Sequence, residues 1–239
     1  MTTGEKTAAL PTQEAVLARA GTENFPVALW LLGPRSRRHL LAIYGFARLV
    51  DEIGDELDGD RLAALDQIER ELESPAHPVM VALAATVREC RLPREPLLRL
   101  LEANRLDQRV ERYDSFEALM DYCALSAAPI GELVLHVFGV FTPERLELSD
   151  RVCSALQVIE HLQDRDEDRA RGRVYIGSFD AVAEARALLQ AGPPLVSQLR
   201  GRARLAVAGF LAGGRCALQE LGGRRSSFVL AYMRAVSAR

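Results

Sequence analysis

Two aspartate pairs, Asp51 with Asp55 and Asp164 with Asp168, are each spaced four residues apart in segments that read as helical. On a helix that spacing sets both carboxylates on one face, roughly 6 Å apart along the axis. Asp51 and Asp55 fall within the register of a broad apolar stripe, where an ionised carboxylate without a partner costs several kcal/mol to desolvate. Two such pairs facing each other make a cage for a divalent cation. The fold must then bring together positions more than a hundred residues apart.

That stripe runs from Arg37 to Leu57, with Leu40, Leu41, Tyr44, Leu49, Val50, Ile53 and Leu57 at mixed three- and four-residue spacings, the pattern of a buried helix. After a polar tail at residues 1–11, further helices are expected at 79–91, 95–112, 115–139, 143–147, 150–170, 181–190, 195–212 and 226–237. Asp114 with Glu117 reads as a capping box, and Thr142 before Pro143 as an N-cap with a favourable first-turn proline. Gly192-Pro193-Pro194, Gly213-Gly214 and Gly222-Gly223 read as separators. Pro129, amid small residues from Ser126 to Gly131, kinks its helix; this is either a plain kink or the wall of a long apolar cavity. With no strand alternation, the chain is expected to be all-α and one domain over residues 1–239.

At 239 residues and 49% hydrophobic content, the chain can bury one sizeable core. Its formal net charge of -3 gives no basic footprint for nucleic acid, although Lys6 is the only lysine among 30 basic residues. The four cysteines form no CxxC pair, and neither a signal peptide nor an uninterrupted apolar run of membrane-spanning length is evident. A reduced, cytosolic, soluble protein is expected.

Magnesium takes hard oxygen ligands and typically one or two carboxylates plus substrate phosphates, so a diphosphate approached by two carboxylate pairs suits it. Histidine and cysteine are the wrong donors and do not cluster near the acids, which argues against zinc. Arginines complete such a site by taking up charge on a leaving diphosphate. Arg48 precedes Asp51 by one turn, and Arg171 and Arg173 follow Asp168 by about one turn. A single acidic pair is more often a solvated helix face; two pairs, each with arginine and tyrosine nearby, favour the metal site. Glu52, Glu56, Asp166 and Glu167 read as acids that either stand behind the metal ligands or face solvent.

Four ordered segments, TENFPVALWLL, AIYGFARLVDEIGDE, DQRVERYDSFEALMDYCALSAAPIGELVL and ALQVIEHLQDRDEDRARGRVYI, resemble the squalene and phytoene synthase family of head-to-head isoprenoid synthases. The ENFPVA opening is most similar to the hydroxysqualene synthase branch. The resemblance implies an isoprenoid-synthase helical bundle with a central apolar cavity and a magnesium cluster at its mouth. It implies that Asp51, Asp55, Asp164 and Asp168 hold Mg2+ and diphosphate, with Glu160 where the family usually carries an asparagine ligand. Asn24, Tyr44, Arg48, Gln157, Arg173 and Tyr175 match positions lining the diphosphate site, and Tyr122, Ala127 and Gly131 match the hydrocarbon channel.

The implied substrate is presqualene diphosphate, converted to hydroxysqualene. A condensing prenyltransferase making presqualene, phytoene or dehydrosqualene shares these motifs, and a weakly active helical partner of such a synthase is a third reading. A water-insoluble product allows peripheral membrane contact and handover to pathway enzymes. The chain departs from the family in Glu160, in a link of only a few residues after Ile176 where some tens are usual, and in its residues from about Arg224.

Overall fold

The computed structural model describes residues 10–18, 32–223 and 226–237. Among them there are thirteen α-helices and no strand. The first five are α1 (Gln13–Ala18), α2 (Pro34–Asp55), α3 (Arg61–Glu71), α4 (Pro78–Cys90) and α5 (Glu95–Leu106). Next come α6 (Phe116–Ser126), α7 (Ala128–Val137), α8 (Pro143–Gln163), α9 (Arg165–Ala170) and α10 (Ala181–Leu188). A 3-10 turn, Leu189–Ala191, leads into α11 (Gly192–Ser197), followed by α12 (Gly201–Leu221) and α13 (Phe228–Val236).

The stripe on α2 is buried as its spacing requires, with Phe46, Leu49 and Ile53 fully enclosed. It packs against α3, α4, α5 and α7, around a first apolar cluster that includes Leu65, Ile68, Met80, Leu83 and Leu101. A second cluster surrounds α8, whose Ala155, Val158 and Ile159 meet residues such as Leu119, Ala185, Val196 and Leu211. Helix α5 stands between them: Leu97, Leu100 and Leu101 face the first cluster and Ala103 the second.

Several helix boundaries differ from those read in the sequence, each for a local reason. Helix α3 was not anticipated; Asp60 caps it by accepting from the Ala63 amide at 2.9 Å, but its charge-rich sequence carries only a weak apolar period. The cap of α6 is Ser115, accepting from the Ala118 amide at 3.2 Å, whereas Asp114 pairs with Arg112. Thr142 does cap α8, accepting from the Arg145 amide at 3.2 Å. That helix runs unbroken from Pro143 through the expected gap at 148–149.

The expected helix 95–112 stops at Leu106. The segment beyond it instead joins the segment after α9 through a parallel bridge between Arg112 and Val174. Residues 115–139 form two helices because Pro129 cannot donate to the preceding turn, and the break falls at Ala127. Helix α12 passes straight through Gly213-Gly214. A side chain at Gly214 would lie 2.4 Å from Leu156 Cδ2, so glycine there serves close packing on α8.

The stretch Phe116–Val137 is long and apolar enough by composition to cross a membrane, yet here it forms α6 and α7, with Leu119, Cys123, Leu133 and Leu135 buried in the core. Gly131, expected to line a channel, faces α8. A Cβ there would sit 2.3 Å from Ser149 Oγ and 2.6 Å from Cys153 Sγ, so the missing side chain permits helix contact and not a hollow. Gly131→Val is therefore expected to destabilise the fold by about 1–3 kcal/mol through overpacking, read as a lower denaturation midpoint; an unchanged midpoint with altered product would restore the channel role.

Candidate active site

Asp51 and Asp55 occupy the last two turns of α2, whose end is held by a neighbour. Arg61 on α3 donates to the carbonyls of Gly54, Asp55 and Leu57, each at 3.0 Å, satisfying acceptors that a helix terminus leaves open. From α5, Asn104 donates to Asp51 Oδ1 at 3.1 Å and Gln108 donates to the Gly54 carbonyl at 2.9 Å. Gly54 is what lets α5 come so near, since a Cβ there would lie 2.2 Å from Asn104 Oδ1.

Asp51 keeps a solvent-exposed surface, while protein crowds its carboxyl and pushes its pKa up to about 7, against the lowering effect of the Asn104 bond; Asp55 adds a like charge. Arg48, one turn earlier, reaches Glu52 at 3.2 Å and Glu56 at 3.5 Å. These two glutamates, expected either behind the ligands or in solvent, take one place each: Glu52 is buried and Glu56 exposed. Tyr44 lies on the same stripe of α2, half-buried.

The second pair straddles a break. Helix α8 ends at Gln163, and Asp164, at φ -96° and ψ 14°, leads into α9. A backbone bond from the Asp168 amide to the Asp164 carbonyl at 2.8 Å keeps the two aspartates one turn apart. Burial, followed by the like charges of Asp168 and Glu167, raises the Asp164 pKa. Glu160, in the last turn of α8, is exposed.

Arg171 and Arg173 join the two motifs. Arg173 Nη1 donates to Asp55 Oδ1, while its backbone amide donates to the Asp168 carbonyl at 2.9 Å. Arg171 reaches Asp55 at 3.8 Å and Glu167 at 2.8 Å. Burial disfavours the Arg173 charge, but Tyr175, Asp55 and Asp107 together outweigh it and raise its pKa.

Behind the arginines lies a polar-aromatic core that the sequence did not disclose. Asp107 accepts from Tyr122 Oη at 2.7 Å and from Tyr175 Oη at 3.0 Å. Burial raises its pKa, partly opposed by the Tyr122 bond and by Arg173. The His161 ring stacks on Tyr175 with centroids 3.8 Å apart. Its Nδ1 lies 3.2 Å from Asp168 Oδ2 and its Nε2 lies 3.1 Å from Gln157 Nε2. A histidine therefore does sit against the acids, contrary to the sequence reading, seven residues but only two helical turns before Asp168.

Of the expected site residues, Asp55, Asp168, Arg173, Tyr175, Tyr122 and, through His161, Gln157 are joined by hydrogen bonds. Asp51, by contrast, is tied to Asn104 and Arg48 to Glu52 and Glu56, while Tyr44 and Glu160 stand on α2 and α8. Ala127 marks the break between α6 and α7, Gly131 belongs to the α8 contact, and Asn24 lies outside the described residues.

Among the described residues, no three His, Cys, Asp or Glu side chains converge on one metal position. The donor set nevertheless fits magnesium bound to diphosphate, because each wall needs to supply only one or two hard carboxylate oxygens. The main hollow among the described residues, about 770 Å³, opens between α1, the first half of α2 and α4, lined by Leu17, Leu41, Ala42, Gly45, Val79 and Ala82. It lies along α2 ahead of Asp51, since the interior behind the arginines is filled by Tyr113, Tyr122, Tyr175 and His161.

Two measurements test this geometry. The unfolded chain holds Asp51 near its ordinary 3.8, so stability from the protonated form is full below that value and is lost as pH rises through about 7. Asp51→Asn, which mimics the protonated form, should raise the melting temperature of the metal-free protein at about pH 8 and leave it unchanged near pH 3; equal shifts at both would remove the crowding effect. Gly54→Ala should push Asn104 off Asp51 and destabilise the protein by about 1–3 kcal/mol. Wild-type stability would mean that the α2–α5 contact yields freely.

The chain is similar to known proteins in sequence and in fold. The family model for squalene/phytoene synthase matches residues 18–178. Hydroxysqualene synthase from Rhodopseudomonas palustris is 36% identical over 228 residues, covering 91% of this chain and 77% of its own length. Hydroxysqualene synthase from Zymomonas mobilis is 42% identical over 164 residues, covering 65% of this chain, which spans about half of that relative (55%). The crystal structure of squalene synthase HpnC from Alicyclobacillus acidocaldarius superposes with a TM-score of 0.79 at 38% identity, covering 90% of this chain and 95% of the other. By sequence and by fold, the chain belongs to the squalene/phytoene synthase family.

Proposed function

We propose that the protein converts presqualene diphosphate to hydroxysqualene with magnesium. The observation that carries this reading is the junction of the two aspartate motifs through Arg171 and Arg173, in a chain 36% and 42% identical to hydroxysqualene synthases.

Magnesium, when bound, supplies Lewis-acid charge to the diphosphate oxygens. Asp51, Asp55, Asp164 and Asp168 would hold it, and Glu160 stands one turn from Asp164 as a further oxygen donor. Arg48, Arg171 and Arg173 take up the negative charge that grows on the leaving diphosphate as its C–O bond breaks with the electron pair. Asp107 fixes the hydroxyls of Tyr122 and Tyr175, and the stacked aromatic group they form keeps Arg173 in place from behind. Packed side chains hold back bulk water while the cation rearranges. One water then adds to the cation and loses a proton, giving the alcohol.

A second reading, condensation of two prenyl diphosphates, has its own support. Phytoene synthase from Mycobacterium tuberculosis is 30% identical over 165 residues.

Product analysis separates the two. Purified protein with magnesium and presqualene diphosphate is expected to yield hydroxysqualene by mass spectrometry. If presqualene diphosphate survives while farnesyl or geranylgeranyl diphosphate is condensed, the second reading replaces the first. Asp164→Asn and Asp55→Asn should each lower kcat about a hundredfold or more with the circular dichroism unchanged; near-normal turnover in both would remove the aspartates from the site.

A further inference from the structure

Helix α13 is apolar on two faces. Its inner face is fixed to α12: Ala235 is fully buried, Phe228 and Tyr232 stack at 5.9 Å, and Arg204 donates to the Val236 carbonyl at 2.6 and 3.0 Å. Its outer face carries Val229, Leu230 and Met233, exposed by 68%, 60% and 59%, the three highest values among the large exposed apolar residues described. At helical spacing these three form one outward stripe, with exposed Arg234 at its edge.

The sequence of this segment carries charge of one sign. From Gly222 to Arg239 the sequence holds four arginines, Arg224, Arg225, Arg234 and Arg239, and no acid. The acid just before them, Glu220, accepts from Ser226. A short helix with apolar side chains outward and Arg234 at their edge, in a segment whose sequence is rich in arginine, matches an interfacial membrane helix, and basic segments are drawn to anionic lipid.

A second copy of the chain fits this face less well. A stable interface needs about 800 Å² from each partner, and a nine-residue helix is only about 14 Å long. Two copies packed about a twofold axis would also bring their arginine-rich segments together. We propose that the outward face of α13 docks on an anionic phospholipid surface, independently of which reaction the enzyme performs.

The test is co-sedimentation of the full chain with phosphatidylglycerol and with phosphatidylcholine vesicles. Binding is expected to phosphatidylglycerol at low salt, at least tenfold weaker to phosphatidylcholine, and lost at high salt. The double substitution Leu230→Glu with Met233→Glu should reduce it at least tenfold with the circular dichroism unchanged, and Arg234→Glu should weaken it severalfold. The proposal is overturned if the wild type does not sediment with anionic vesicles, or if both variants sediment like the wild type. It is equally overturned if light scattering shows a dimer that the double substitution dissolves, because a second copy then covers the face.

Discussion

A buried guanidinium held between carboxylates organises this molecule. Arg173 donates to Asp55 at the end of one long helix, and lies beside Tyr175, whose hydroxyl is fixed by Asp107 from another. Burying a charge costs several kcal/mol unless its partners are in place, and removing one partner leaves the others uncompensated. The end of α2, the end of α5 and the segment after α9 are in this way made to depend on each other. The bridge between Arg112 and Val174 sets the height of Arg173, because the Tyr113 amide donates to the Val174 carbonyl at 3.0 Å and the Val174 amide to the Glu111 carbonyl at 2.7 Å.

Helix α5 is the partition on which this depends. Its apolar residues divide between the two clusters, and its polar face holds Asp51 and Gly54 and, just past its end, Asp107. The same short element therefore serves packing and site geometry, and Asp51 is held by a helix that carries no motif of its own.

The all-helical class was legible because apolar periodicity is strong in α2, α5 and α13, and the aspartate pairs because a four-residue spacing has one helical meaning. Asn104, Asp107 and Gln108 were not, since polar residues at helical spacing look the same in sequence whether they face solvent or a buried site. Arg61 was missed for a similar reason: its three carbonyl partners belong to another helix. His161 was set aside because sequence distance hides that two turns bring it to Asp168. The break at Asp164 and the continuity of α12 through paired glycines are tertiary outcomes, decided by packing against α8 and not by local propensity. The short link after Ile176 closes simply, with Asp180 capping α10 by accepting from the Ala183 amide at 3.0 Å.

The claim that Arg171 and Arg173 both lay on Asp55 has a thermodynamic corollary. A cation arriving alone must compete with two guanidinium groups for one carboxylate, and an anion arriving alone must draw those groups away from it. When both arrive, each relieves the other's competition. By linkage the effect would be reciprocal: under the proposed function, metal and diphosphate would each tighten the other's binding by the same factor, and the resting salt bridges would make this a site for the pair and a poor one for either ion separately.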